Sequence, residues 1–162
     1  MLRSRAFTLI ELLVTIVILA ILSAMAMPAF TSMIQSHRSM TVSEELTTAI
    51  QLARSEALKR RKNVIICRSN DAQDDCEDGD DWSNGWLIRQ AAGDVIRVWE
   101  PSTTTTVAGP NGGLTFQSSG LSSASGTFDV EVSGCADGKK RTITVSATGN
   151  ATHSQSTCTP SS

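Results

Sequence analysis

Phe7 to Phe30 reads FTLIELLVTIVILAILSAMAMPAF. As far as Met27 it is apolar, broken only by small or hydroxylated residues and by one carboxylate, Glu11. At about 1.5 Å of rise per helical residue the stretch reaches roughly 30 Å, one bilayer core. It predicts a membrane-spanning helix at the start of the chain. A carboxylate near the start of such a span costs on the order of 2 kcal/mol or more unless it finds a partner. Glu11 therefore calls for a function.

Outward from this stretch, the leader MLRSRA carries Arg3 and Arg5, and no further Lys or Arg occurs until Arg38. That asymmetry predicts a cytoplasmic start and a domain on the far side of the membrane. The apolar run is longer than the core of an ordinary secretory signal. Of 162 residues, about 120 to 130 remain for one small domain. The net charge of −2 and the pI of 5.6 give no polyelectrolyte argument for nucleic acid, so any such contact must be local.

Pro28 lacks an amide donor and is expected to kink or loosen the helix. Beyond it, Val42, Leu46, Ala49, Ile50, Ala53 and Ala57 recur at three- and four-residue spacing, which predicts one helix from Thr8 to Lys62 whose second half buries a single stripe. Lys59, Arg60, Arg61 and Lys62 complement the dipole at its end, with Asn63 as cap. Strands are expected at Asn63 to Arg68, Leu87 to Arg89, Val95 to Trp99, Leu114 to Gln117, Thr127 to Ser133, Arg141 to Ser146 and Ala151 to His153. Ala91 to Asp94 reads as a hairpin turn. Pro101 should end its strand, and Thr103 to Gly113 reads as loop.

Four cysteines follow the span. Their even number predicts two disulfides in an oxidising compartment, and three pairings are open. Chain neighbours close the shorter loops, which favours Cys67–Cys76 and Cys135–Cys158. No cysteine or histidine spacing matches a metal motif. Seven acidic residues lie between Asp71 and Asp81. They imitate a calcium loop only in part, because Cys76 and Gly85 stand where ligands are required. A solvated acidic loop is the better reading. In WSNGW, Trp82 to Trp86, a turn at Ser83 to Gly85 should bring an indole over the core.

A short basic leader ending in a small residue, then Phe-Thr-Leu-Ile-Glu-Leu, then an apolar helix containing Pro28, resembles the class III signal of type IV pilins and type II secretion pseudopilins. The ARSEA block, Ala53 to Ala57, and WSNGW resemble the GspH/FimT/FimU branch. The resemblance implies an α+β fold in which a long N-terminal helix packs on antiparallel sheets. It implies a leader at 1–6, a transmembrane and filament-core helix at 7–30, and a head at 31–158 that begins with an amphipathic half-helix at 31–62; the last residues, 159–162, are expected to form a flexible tail. By resemblance a prepilin peptidase cuts between Ala6 and Phe7 and methylates the new amine of Phe7. The family usually has Gly where this chain has Ala6. Glu11 then becomes the fifth mature residue and meets the N-terminal amine of a neighbouring subunit, an opposite charge that offsets its desolvation. Glu11 and Pro28 are the assembly residues in this reading.

No catalytic constellation, metal site or cofactor motif is present in the sequence. The expected function is that of a minor type IV pilin, held in the inner membrane with its head in the periplasm. It would then join a surface pilus near the tip, beside other minor and major pilins. One alternative is a minor pseudopilin of type II secretion. Another is a DNA-binding pilin for uptake, using Lys139, Lys140 and Arg141 on a turn between strands. DNA-binding members of the branch carry a Gly-Arg-x-Arg element where this chain reads Gly149-Asn150-Ala151-Thr152, and both arginines are missing. Asn150-Ala151-Thr152 also matches the glycosylation acceptor pattern.

Overall fold

The computed structural model describes residues 7–100, 102–132 and 140–158, the side chains of 25–29 and 32 excepted. One helix, α1, spans Leu9–Arg60 and continues through Pro28. The chain divides into two compact units, Met1–Ile34 and Gln35–Ser162.

Thr8 starts the helix. The Glu11 amide donates to Thr8 Oγ1 at 3.3 Å and the Leu12 amide to the Thr8 carbonyl at 3.2 Å. Thr-x-x-Glu is the spacing of a capping box. At the other end Arg61 takes a left-handed φ of 53°, and the Lys62 amide donates to the Ala57 carbonyl at 3.3 Å. That six-to-one bond is a Schellman closure. The residue that turns the chain is therefore Arg61, and the expected cap Asn63 lies beyond the closure.

In the second unit two four-stranded antiparallel sheets form. The first holds β1 (Val64–Arg68), β2 (Trp86–Gln90), β3 (Val95–Trp99) and β5 (Leu114–Phe116) in the order β3-β2-β1-β5. The second holds β4 (Thr105–Ala108), β6 (Gly126–Val132), β7 (Lys140–Val145) and β8 (Ala151–Ser156) in the order β4-β6-β7-β8. Leu46, Ala49, Ile50, Ala53 and Ala57 of α1 share one buried core with Val64, Ile66 and Ile88 of the first sheet and Phe128, Val130, Ile143 and Val145 of the second. Small side chains at 49, 53 and 57 let the helix backbone lie close to both.

The β4 strand corrects the expectation of a loop over Thr103 to Gly113. Thr105 and Val107 are buried while Thr106 and Ala108 are exposed, the alternation of a half-buried strand. It is held by β6 on one side. On the other side the Trp82 amide donates to the Val107 carbonyl at 2.6 Å, and the Val107 amide to Ser83 Oγ at 3.0 Å. The last strand is also longer than expected, reaching Ser156. Pro101, Ser133, Cys135, Lys139 and the leader and tail lie outside the described residues.

Candidate functional site

Among the described residues, the first unit presents its apolar side chains uncovered. From Leu9 to Leu22 the large apolar side chains are 48% to 82% exposed, apart from Val14 at 47%, so no face of this helix is packed. A helix that is apolar all round belongs inside a membrane or inside other protein. Among the described residues no helix is long and apolar enough to cross a membrane; the described apolar side chains of this stretch run from Leu9 to Ala24. Glu11 stands in the first turn, where a carboxylate complements the helix dipole. Phe7 is exposed ahead of it, and Ala6, the other side of the expected cut, lies outside the described residues.

In the second unit, Cys67 and Cys76 are joined by a disulfide with a Cα–Cα distance of 5.6 Å. The expected Cys135–Cys158 bridge cannot be placed, since Cys135 lies outside the described residues. The loop after β1 is ordered by its own polar groups. Arg68 pairs with Glu77 at 3.2 Å and donates to the Asp78 carbonyl at 3.0 Å. Arg89 pairs with Asp75. Asn70 Nδ2 donates to Asp74 at 2.8 Å and Asn84 Nδ2 to Asp71 at 2.6 Å. The Asp75 carboxyl is held below the usual range by the Cys76 amide first and by Arg89 second. Asp81 is lowered by the Ser83 hydroxyl and amide. Among the described residues no cluster of three or more such side chains is placed to hold a metal ion.

Both indoles of WSNGW are buried. Trp82 meets Phe128 edge-on at 5.1 Å, and Trp86 stacks on Trp99 at 6.4 Å. Gly85, at φ 97°, makes the turn between them. Within ARSEA, Arg54 Nε donates to the Gly120 carbonyl at 3.0 Å, and its Nη1 to the Gly149 carbonyl at 3.3 Å and Asn150 Oδ1 at 3.2 Å. Arg54 thus ties the helix to the turns before β6 and before β8. Sequence reasoning missed this role; an arginine inside an otherwise buried stripe was the available signal. The same contact occupies the Asn150 side chain of the acceptor tripeptide.

The basic residues offered for DNA are placed differently from the expected turn. Lys140 and Arg141 both lie in strand β7, so their side chains leave opposite faces. Lys140 pairs with Asp129 at 3.1 Å, beside Asp80, Asp81 and Glu131. Arg141 shares the other face with the buried Ile143 and Val145. These two cations do not form one phosphate-binding row.

A long N-terminal helix packed through its second half on antiparallel sheets is the α+β pilin-like fold. The prokaryotic N-terminal methylation motif matches residues 1–27, and the family described as type II transport protein GspH matches residues 42–149. The chain belongs to this GspH family, the GspH/FimT/FimU type of pilin with a class III signal. Two crystal structures of the type IV minor pilin FimU of Pseudomonas aeruginosa strain PAO1 are similar to it. One, in space group P65, is 27% identical with a TM-score of 0.56, over 71% of this chain and 91% of that one. The other, in P21, is 26% identical with a TM-score of 0.58, over 73% and 89%. No curated protein matches. Family and fold are those of structural pilins.

Proposed function

We propose that the chain is a minor type IV pilin that primes a pilus or sits near its tip. It waits in the inner membrane as a single-pass protein with its head in the periplasm. The observation that carries this reading is the uncovered apolar surface from Leu9 to Leu22 with one carboxylate at its start. Such a surface is stable in a bilayer, and equally among the helices of other pilins. After a cut between Ala6 and Phe7, Glu11 meets the methylated Phe7 amine of a neighbour. Pro28 sits where the apolar stretch ends. The likeness to FimU supports a place among pilus subunits, while the family's description, a type II transport protein, keeps a pseudopilin role as the second reading.

The test is co-assembly of the full chain with Glu11→Ala and Glu11→Gln. Both variants should remain in the membrane and be processed, yet lose incorporation into pili by at least about tenfold, since breaking a buried charge pair costs roughly 3 kcal/mol or more. Wild-type incorporation of Glu11→Ala would overturn the pairing. Mass spectrometry of the mature N-terminus checks cleavage at Ala6–Phe7 and methylation of Phe7.

A further inference from the structure

We propose that the edge of β8 turned away from β7 takes up an extended, carboxylate-bearing segment of another pilin subunit, with its acid seated against Arg141. The inference rests on the co-assembly reading and specifies the chemistry of one contact.

β8 is the last strand of its sheet and is paired only with β7 among the described residues. At the turn the Ser146 amide donates to the Asn150 carbonyl at 2.9 Å. Antiparallel pairs alternate between hydrogen-bonded and non-bonded. Counting in twos from Asn150, residues 152, 154 and 156 turn their amides and carbonyls toward β7. Ala151, His153 and Gln155 turn theirs to the open side. Edge strands are usually blunted by Lys, Pro or a bulge. This one, Ala151–Ser156, holds neither residue, and its register with β7 is unbroken.

Beside this edge, a cleft of about 490 Å³ opens between α1 and the inner face of β7 and β8, lined by Ser43, Glu44, Arg141, His153 and Gln155 among others. With the Gln155 amide turned so that its oxygen faces Arg141, it accepts from both terminal guanidinium nitrogens, at 2.9 and 3.0 Å. Gln155 thereby holds the cation in place without neutralising it. Arg141 makes no ion pair among the described residues, and its Nε is buried without a partner. The Ser43 hydroxyl and the His153 imidazole, which lies 3.4 Å from Thr47 Oγ1, line the cleft with Arg141, and Glu44 is a carboxylate on its α1 side, so Arg141 is the group that would draw an acid. Main-chain bonds to an open edge, joined to a side-chain pocket that selects what is bound, constitute strand addition.

The experiment uses the full chain in detergent micelles, labelled with 15N, titrated with acetyl-Thr-Val-Glu-Val-Thr-amide and its Gln counterpart. The Glu peptide should shift the amides of His153 and Gln155, slow their hydrogen exchange, and bind at least about fivefold tighter than the Gln peptide. Arg141→Met should abolish that preference. Gln155→Pro removes one outward amide together with the side chain that holds Arg141, and leaves the bonds of residues 152, 154 and 156 to β7 in place, so it should lose binding of both peptides, the Gln peptide through the lost amide alone. Three results would overturn the inference: no shift in β8 at millimolar peptide, equal affinity for the two peptides, or tighter binding of a thymidine oligonucleotide at the same amides. The wild-type chain with the two peptides decides the matter even if either variant folds poorly. None of these readouts needs a filament. Strand addition can fail while pili assemble normally, and can succeed in a chain whose Glu11 variants co-assemble as wild type.

Discussion

Gly113 enters β5 at φ +79°, and a Cβ built there would lie 2.4 Å from the Ile66 carbonyl oxygen and 2.9 Å from Cys67 Cβ. Both neighbours belong to β1, so no flexible side chain can give way. Gly113→Ala combines the left-handed penalty with displacement of the β1–β5 ladder, and should cost about 2 to 3 kcal/mol. A thermal melt of the purified chain should fall by on the order of 10 °C; an unchanged midpoint would refute the steric argument. Arg61 is the opposite case, because it holds a left-handed conformation that glycine adopts freely. Arg61→Gly should stabilise by a few tenths to about 1 kcal/mol, after allowing for the lost charge at the helix end. The same melt reads the sign.

The last turns of α1 carry a charge cluster whose contribution depends on pH. Glu56 is nearly buried and pairs with Arg60 at 2.5 Å and Lys59 at 3.6 Å. The Arg60 side-chain hydrogen bond, opposed by burial and aided by Lys59, holds its carboxyl below the ordinary 4.5. A lowered carboxylate binds its proton more weakly folded than unfolded, so its stabilisation is present above pH 4.5 and fades as pH falls through the folded value. The stability difference between wild type and Glu56→Gln should therefore be constant near neutrality and shrink below pH 4.5. Using the difference sets aside Asp75 and Asp81, which are lowered in the same direction. Paired melts from pH 7 to pH 3 check it, and a difference independent of pH would contradict the assigned pair. Much at this scale was readable from periodicity: the buried stripe of α1 is the spacing of Leu46, Ala49, Ile50, Ala53 and Ala57, and WSNGW folds as a turn. What escaped was decided by distant partners. Thr103 to Thr106 reads as low complexity, yet β6 and the Trp82–Ser83 segment make a strand of its second half. Lys140 and Arg141 read as a turn until pairing of both with β8, and of Arg141 with β6, sets them on opposite faces. The Thr8 cap has a local signal, Thr-x-x-Glu, that the sequence reading did not use, whereas the grip of Arg54 on two carbonyls depends on chain 66 and 95 residues away.

The division of the whole chain into two compact units implies that each obeys a different solvent. The first has an apolar surface on every side; the second has a core of its own, drawn from α1 and both sheets. A charge placed in the first should therefore be felt by the membrane and the filament, and a cavity in the second by the fold. Ile18, about half exposed in the middle of the apolar stretch, is the probe for the first. Ile18→Arg puts a cation where insertion costs about 2.5 to 3.5 kcal/mol, and should lower the membrane-bound fraction and remove the chain from pili. The melting midpoint of its head should stay within about 2 °C of wild type. Ile143, fully buried in the core that α1 shares with both sheets, is the probe for the second. Ile143→Ala should cost about 2 to 5 kcal/mol of stability while membrane retention is kept. Fractionation and thermal melts on the same two variants read both quantities. A head destabilised by Ile18→Arg, or a chain released from the membrane by Ile143→Ala, would mean that the units depend on one another for folding. The anchor would then be part of the domain it carries.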